Sequence, residues 1–258
     1  MVRIALGIEY DGSHFCGWQT QTTGCGVQDA LQRALAVIAG HPIEVVAAGR
    51  TDAGVHATQQ VVHFDTPAQR PDSAWVRGVN SFLPDSVAVL WVQPVNTEFH
   101  ARFSAQTRSY RYVLLNHPVR PAIAAGRIGW FHAPLALVPM QAAAQLLLGT
   151  HDFSAFRAAE CQAKSPIRTL HSLSVTQTGQ RFSFDLNANA FLHHMVRNIV
   201  GALVYVGKGK HPPEWLGELL QQRDRSRAAP TFAADGLYLN AVRYAPEWAL
   251  PDAQRIDL

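Results

Sequence analysis

The stretch Gly49-Arg50-Thr51-Asp52-Ala53-Gly54-Val55-His56-Ala57 sets a cation, a hydroxyl and a carboxylate between two glycines. Glycine lets a backbone turn tightly or approach a ligand closely. Apolar, strand-like runs flank the stretch, Ile43 to Ala48 before it and Gln60 to Phe64 after it. A single acid beside an arginine, on a turn held by strands on both sides, is a way for a fold to present one reactive carboxylate. A plain hairpin connection with a surface ion pair uses the same residue types, but the density of functional groups in an apolar stretch favours chemistry. Two further groups qualify. Ser109 to Leu115 reads as a strand with Tyr110 and Tyr112 on one face and Arg111 on the other. Together with the run from Phe99 to Arg108 it interleaves arginines with aromatics, as phosphate and base contacts require. A half-buried strand with a core Tyr face and a solvated Arg face is equally consistent with that pattern. Finally, Arg197 lies among Met195, Val196, Ile199 and Val200. A mostly buried arginine is costly unless a carboxylate pairs with it, and Asp52 is an apt partner.

These groups need elements to position them. Arg3 to Tyr10 reads as a strand, turned by Asp11-Gly12-Ser13 into the aromatic, glycine-containing loop Phe15 to Gln19. Val27, Leu31, Ala34, Leu35 and Ile38 recur at helical spacing, and Gly40 with His41-Pro42 stops that helix. Asp72 to Phe82 is a second candidate helix. Val87 to Val95 is continuously apolar, as a fully buried strand is. Residues 118 to 139 carry four prolines and read as an irregular connection. Met140 to Leu148 reads as a helix, Arg168 to Thr178 and Gln180 to Ala188 as paired strands, Phe191 to Val204 as a helix, and Pro213 to Gln222 as a last one. The two halves echo each other as strand, helix, strand pair, which suggests two similar α/β halves with a cleft between them, where ligand sites commonly lie.

The totals narrow the class. The chain of 258 residues is 48% hydrophobic and 16% charged, enough for a packed core in one large domain or two. No apolar run is long enough to span a membrane, and the N-terminus, with Glu9 and Asp11, lacks a signal-peptide core. Cys16, Cys25 and Cys161 form an odd set without a Cys-x-x-Cys, which fits reduced thiols in a cytoplasm better than a disulfide framework. Net charge is only +3, yet only three of the 22 Lys and Arg are lysines. Arg suits bidentate phosphate contacts and base stacking, and it clusters at Arg102, Arg108 and Arg111 and at Arg223, Arg225 and Arg227. A nucleic-acid partner is permitted by this composition and not required by it.

Several chemistries drop out. Gly201 to Lys208 has one residue too many between its glycines for a phosphate loop, and Gly209 stands where Ser or Thr is needed. There is no His-Glu-x-x-His and no Gly-x-Ser-x-Gly. His193 and His194, adjacent on a helix, splay by about 100° and do not chelate one metal. Cys161 has no patterned base beside it. A glycosidase needs a second carboxylate, and the nearest acids, Glu44 and Asp65, carry no motif.

The nonapeptide with its single Asp resembles the catalytic loop of the TruA-type tRNA pseudouridine synthases. Arg108-Ser109-Tyr110-Arg111-Tyr112 resembles that family's second motif, and Phe191-Leu192-His193-His194-Met195-Val196-Arg197-Asn198-Ile199-Val200-Gly201 its third. Glu9 to Gln19 and Asp152 to Arg157 match as well, so the likeness runs in order over almost the whole chain. The resemblance implies an α+β pseudouridine synthase fold. Its two similar α/β halves would be residues 1–105 with the Asp loop and 106–258 with the Tyr and Arg motifs, their mainly antiparallel sheets flanking a central catalytic cleft. It implies isomerisation of uridine to pseudouridine at positions 38, 39 and 40 of the tRNA anticodon stem-loop, with no cofactor and no metal. Asp52 would be the catalytic nucleophile, with attack at C1′, addition to the base and removal of a sugar proton all left open. Tyr110 would pack on the target uracil and serve proton transfer at C5. Arg50 would enter the helical stack in place of the extruded nucleotide, and Arg197 would keep Asp52 ionised. Thr51 and His56 would shape the loop. The resemblance further implies a cytoplasmic homodimer whose tRNA spans both subunits. A catalytically silent RNA-binding module of the same fold is the rival, and it would need Asp52 missing or blocked.

Overall fold

The computed structural model describes residues 1–251. The chain separates into two compact units, one made of Met1–Gln106 and the segment from Tyr238 onward, the other of Thr107–Leu237. Its elements in the first stretch are β1 (Val2–Tyr10), α1 (Val27–Ala39), β2 (Val46–Ala47), β3 (His56–Thr66) and β4 (Val87–Val95). Then follow β5 (Ala105–Asn116), β6 (Gly129–Phe131), α2 (Leu137–Gln145), β7 (Gly149–Asp152), β8 (Ile167–Thr178), β9 (Arg181–Ala188), α3 (Met195–Gly207) and α4 (Trp215–Gln222). The last strand, β10 (Leu237–Tyr244), returns to the first unit, where Tyr238 and Leu239 pair in parallel with His56 and Ala57 of β3.

In unit 1, β1 lies between β4 and β3, antiparallel to both. Ile4, Leu6 and Ile8 of β1 are buried, with Phe64 of β3. The helix α1 begins where Asp29 Oδ2 accepts the Gly26 N–H at 2.9 Å, half of a capping box. It ends at Gly40, whose left-handed φ of +79° lets its N–H reach Ala36 O. Val27, Leu31, Ala34 and Leu35 form its buried face, as their spacing predicts. Two expectations change here. Among the described residues, the strand β4 pairs with β1 alone and buries only Val87 and Val89, so its apolar run belongs to an edge strand and not to a fully covered one. The helix expected over 72–82 is helical over 72–80, and its middle, Ala74–Gly78, is a π-turn that buries Trp75.

In unit 2 the sheet runs β5-β9-β8-β7, antiparallel at each step, with β6 added in parallel to β5. Along β9, Phe182, Phe184, Leu186 and Ala188 alternate inward. Met140 and Ala143 of α2 and Met195, Ile199 and Leu203 of α3 are likewise buried. The Gln141 side chain donates to Val175 O at 2.9 Å, tying α2 to β8. The helix expected from Phe191 starts at Met195, because His194 takes a left-handed φ of +61°.

Cys16 and Cys25 are joined by a disulfide, against the expectation of three reduced thiols, and Cys161 is free. The loop between them folds back so that the Cys16 N–H donates to Cys25 O at 3.0 Å, with the Cα atoms 5.5 Å apart. A spacing of nine matches no metal or redox motif, so the sequence carried no signal of it. Among the described residues no helix is long and apolar enough to cross a membrane.

Candidate active site

Asp52 sits half-buried on the connection between β2 and β3, with Arg50 exposed two residues before it. The connection is fixed at both ends. Ala48 N–H donates to Val61 O, and the buried Gln60 side chain donates to Gly49 O at 2.7 Å. Thr51 is held twice: its carbonyl accepts the Trp18 N–H at 2.9 Å, and its hydroxyl shares a 2.8 Å hydrogen bond with the Tyr10 hydroxyl. Burial pushes the Tyr10 phenol up to about 12, so it stays protonated as a hydrogen-bonding group. Immediately after, the Val55 N–H donates to Asp52 O across a turn in which Gly54 has φ +77°, a value that glycine supplies without strain. His56, 2% exposed, follows. Its Nδ1 accepts the Gly12 N–H at 3.0 Å and lies 3.2 Å from Asp11 Oδ1, while its ring stacks on Tyr238 at 4.6 Å.

The loop Asp11 to Trp18 is therefore the backing of the Asp52 loop. A Cβ at Gly12 would fall 2.0 Å from Val55 O, and one at Gly17 2.9 Å from Thr51 O. Only glycine allows backbone to lie on backbone that closely.

In unit 2, Tyr110 is half-buried on β5, opposite Leu186 of β9, with its ring edge-on to Phe191 at 5.0 Å. Tyr112, two residues on, has a different fate. It is fully buried, its hydroxyl donates to Ala233 O at 3.1 Å, and burial, with the nearby Asp235 charge, drives its pKa far up. Arg111 faces the other way and pairs with Asp185 directly across the ladder at 2.7 Å. The alternation expected from sequence holds; the tyrosine face is core at one position and accessible at the next.

Arg197, in the first turn of α3, is half-buried, and its Nε donates to Phe232 O at 2.8 Å. The next residue, Asn198, is fully buried and fully used. It donates to Phe156 O and accepts from Arg225 and Thr231. Arg225 thus anchors the start of α3, and Arg223 lies 3.5 Å from Asp152, so two members of that basic cluster serve the fold. His193 and His194 precede α3 in a turn, their rings 4.0 Å apart; the helical splay expected of them does not arise.

The structure thus joins Arg50 and Asp52 on one loop of unit 1, and sets Tyr110 and Arg197 on two elements of unit 2. Sequence reasoning missed the supports: Tyr10, Trp18 and Gln60 for the loop, Asn198 and Arg225 for the helix. The one available signal was an asparagine inside an apolar helix, which needs partners when buried.

A sequence profile of the tRNA pseudouridine synthase family matches residues 7–104 and 143–245. Relatives include the tRNA pseudouridine synthase A of Dechloromonas aromatica, 61% identical over 251 residues, covering 97% of this chain and 96% of that one. That of Methylobacillus flagellatus is 61% identical over 254 residues, covering 98% and 97%. That of Thiobacillus denitrificans is 59% identical over 253 residues, with the same coverage. Among solved structures, a Cbf5-Nop10-Gar1 complex matches at 10% identity with a TM-score of 0.37, covering 92% of this chain and 48% of that one.

Proposed function

The chain belongs to the tRNA pseudouridine synthase family, and from that membership we propose that it isomerises uridine to pseudouridine at positions 38, 39 and 40 of the tRNA anticodon stem-loop. The single observation that carries the reading is the Asp52 loop: one carboxylate, half-buried, with the residues on both sides of it pinned by buried groups. The reaction breaks the N1–C1′ bond, turns the base and forms a C5–C1′ bond. The C5 proton leaves and N1 gains one, so atoms balance without a cofactor. Glycosidic cleavage builds positive charge at the sugar, which a carboxylate stabilises or captures. Asp52 fills that role as nucleophile. Tyr110, its ring edge braced by Phe191, packs on the uracil and serves proton transfer at C5. Arg197 binds substrate, and exposed Arg50 takes the extruded nucleotide's place. Extrusion itself costs a few kcal/mol of stacking and pairing. The stem is read by shape and phosphate contacts more than by base edges. The protein works in the cytoplasm as a homodimer.

Neither Asp65 nor Asp11 suits the part of a second glycosidase carboxylate beside Asp52. Asp65 is held by Arg3, whose hydrogen bonds lower its pKa. The ladder pairs Arg3 with Asp65 and Tyr10 with Ala57, so eight residue steps along β3 separate Asp65 from the loop end at Ala57, roughly 26 Å. A glycosidase pair stands about 5–9.5 Å apart. Asp11 is committed to Ser13, whose N–H and hydroxyl it accepts.

The test is tritium release from C5-labelled uridine in an unmodified tRNA, with chelator present and no added cofactor, for the wild type, Asp52→Ala and Asp52→Asn. Release by the wild type alone is expected. Release that persists in the variants removes Asp52 from its role; binding without any release makes the chain an RNA-binding module.

A further inference from the structure

The segment that backs the Asp52 loop is closed at both ends by cysteines. Cys16 is exposed and Cys25 half-buried, and their disulfide ties off residues 17–24, which include Gly17 and Trp18. We propose that this pair is a reversible thiol–disulfide modification site, acted on by low-molecular-weight thiols and disulfides, and that its state sets how firmly the Asp52 loop is held. The inference rests on the reading above that Asp52 is the reactive carboxylate.

Two independent sets of contacts carry it. The first is accessibility with a built-in order of events. Cys16 meets solvent, whereas Cys25 lies behind it with the Thr23 hydroxyl 3.1 Å from its sulfur. In the reduced protein, the exposed Cys16 thiolate attacks a disulfide R–S–S–R. One R–SH leaves, and a mixed disulfide remains on Cys16. The Cys25 thiolate, steadied by the Thr23 hydroxyl, then attacks the Cys16 sulfur and expels the second R–SH. The two cysteine protons leave on the two released thiols; the protein loses two electrons and the reagent gains two. Excess thiol runs the exchange backwards. Disulfides in reducing compartments are usually transient or sensing ones, which suits an exposed sulfur.

The second set is mechanical. The Trp18 N–H bonds Thr51 O, one residue before Asp52, and Gly17 lies on the backbone of Thr51, Asp52 and Ala53. Behind them, Val27 N–H donates to Gly17 O and Gln28 N–H to Trp18 O, so the segment leans on the start of α1. With the disulfide closed, the two ends of the segment cannot part. With it open, hydrogen bonds and the packing of buried Trp18 against Tyr10 hold the wall against which the Asp52 loop rests, with no covalent tie.

The experiment equilibrates the full-length protein in glutathione buffers of graded reduced-to-oxidised ratio, quenches with iodoacetamide and weighs the intact chain. Tritium release from tRNA and amide exchange across residues 49–56 are read on the same samples. We expect three labels at the reducing end and one, on Cys161, at the oxidising end. On reduction, kcat falls about two- to fivefold with KM unchanged, the size of a small misplacement of a catalytic group, and exchange at residues 51–54 quickens. Cys25→Ser and Cys16→Ser both keep the kcat and exchange of reduced wild type at every ratio. Each counts two labels at the reducing end, and Cys25→Ser, lacking the resolving thiol, carries one glutathione on Cys16 at the oxidising end, while Cys161→Ser counts two labels to none with the same response as wild type. Three labels throughout the series overturn the site. Equal exchange in both states overturns its link to the loop. If neither state releases tritium, the activity reading fails by itself, while label count and exchange still decide this one.

Discussion

The two units hold their motif residues by opposite means. In unit 1, Asp52 rides on a connection outside any ladder, and it is placed by bonds from Tyr10, Trp18, Gln60 and Val55. In unit 2, Tyr110 and Arg197 occupy regular positions, one on a strand with its partner directly opposite and one in the first turn of a helix. A ladder or a helix fixes a side chain's direction through many equivalent bonds, so no single neighbour decides it. A loop depends on each of its few contacts. The Asp52 geometry is therefore the more sensitive to changes in residues that never touch substrate.

The largest effect removes the carboxylate. Asp52→Asn should lower kcat by about 10⁴-fold or more, as loss of a nucleophile does, while leaving the unfolding free energy within about 0.5 kcal/mol of wild type, as for surface-like substitutions. Single-turnover tritium release measures the first and calorimetry the second. Activity within a hundredfold of wild type would show that the loop presents something other than a nucleophile. Next is Tyr110→Phe, expected to cost about 10²–10⁴-fold in kcat if the hydroxyl moves a proton. Tyr112→Phe, two residues along the same face, removes the hydroxyl's bonds to Ala233 O and to the Gly236 backbone and should cost about 0.5–1.5 kcal/mol of stability with kcat unchanged. If both tyrosines behave alike, the division of that face into core and site is wrong.

The contrast between loop and ladder has its own test. Thr51→Val breaks the buried bond to Tyr10 and should lower kcat about tenfold through misplacement of Asp52. Tyr10→Phe should do the same, and the double variant should cost less than the two singles combined, since neither hydroxyl is then left short of its partner. Arg111→Ala, which breaks a half-exposed pair on the ladder with Asp185, should leave kcat within about twofold, exposed pairs being weak. Equal losses at Thr51 and Arg111 would erase the difference between the units.

What sequence made legible follows the same line. Strand and helix periodicity located β1, α1, β4, β8 and β9 within a residue or two, because those patterns depend on local spacing alone. The Asp, Tyr and Arg positions came from motifs. The burial of β4 was misread because an edge strand and a central one can share an apolar composition; only pairing partners separate them. The start of α3 was set too early because Leu192 continues the apolar period, while the left-handed turn at His194 has no signature in residue type. The disulfide and the role of Arg225 were hidden for a common reason: each depends on two segments meeting across a loop. A basic cluster reads as a phosphate site until one of its members is found bonded to a buried Asn198.

The smallest effect again separates the units, now by acid sensitivity. His63 on β3 is 4% exposed, its Nδ1 accepts the Ala101 N–H at 3.1 Å, and burial followed by the nearby Arg3 and His100 lowers its pKa to about 4, with Asp65 opposing. The folded state therefore keeps His63 neutral over a range where the unfolded chain, near its ordinary value of about 6.5, binds a proton. Below about pH 6.5 the unfolded state gains protons that the folded state refuses, so stability falls as pH drops toward 4. His63→Asn keeps an acceptor for Ala101 and removes the titration, so the fall in that window should be shallower, by at most one proton's worth, about 1.4 kcal/mol per pH unit. Denaturant unfolding at pH 4.5, 5.5 and 7 measures it. His100, shifted down chiefly by burial with Arg3 adding to it, leaves a residual slope in the variant. An unchanged slope would mean that His63 does not carry the acid sensitivity of unit 1 in this window.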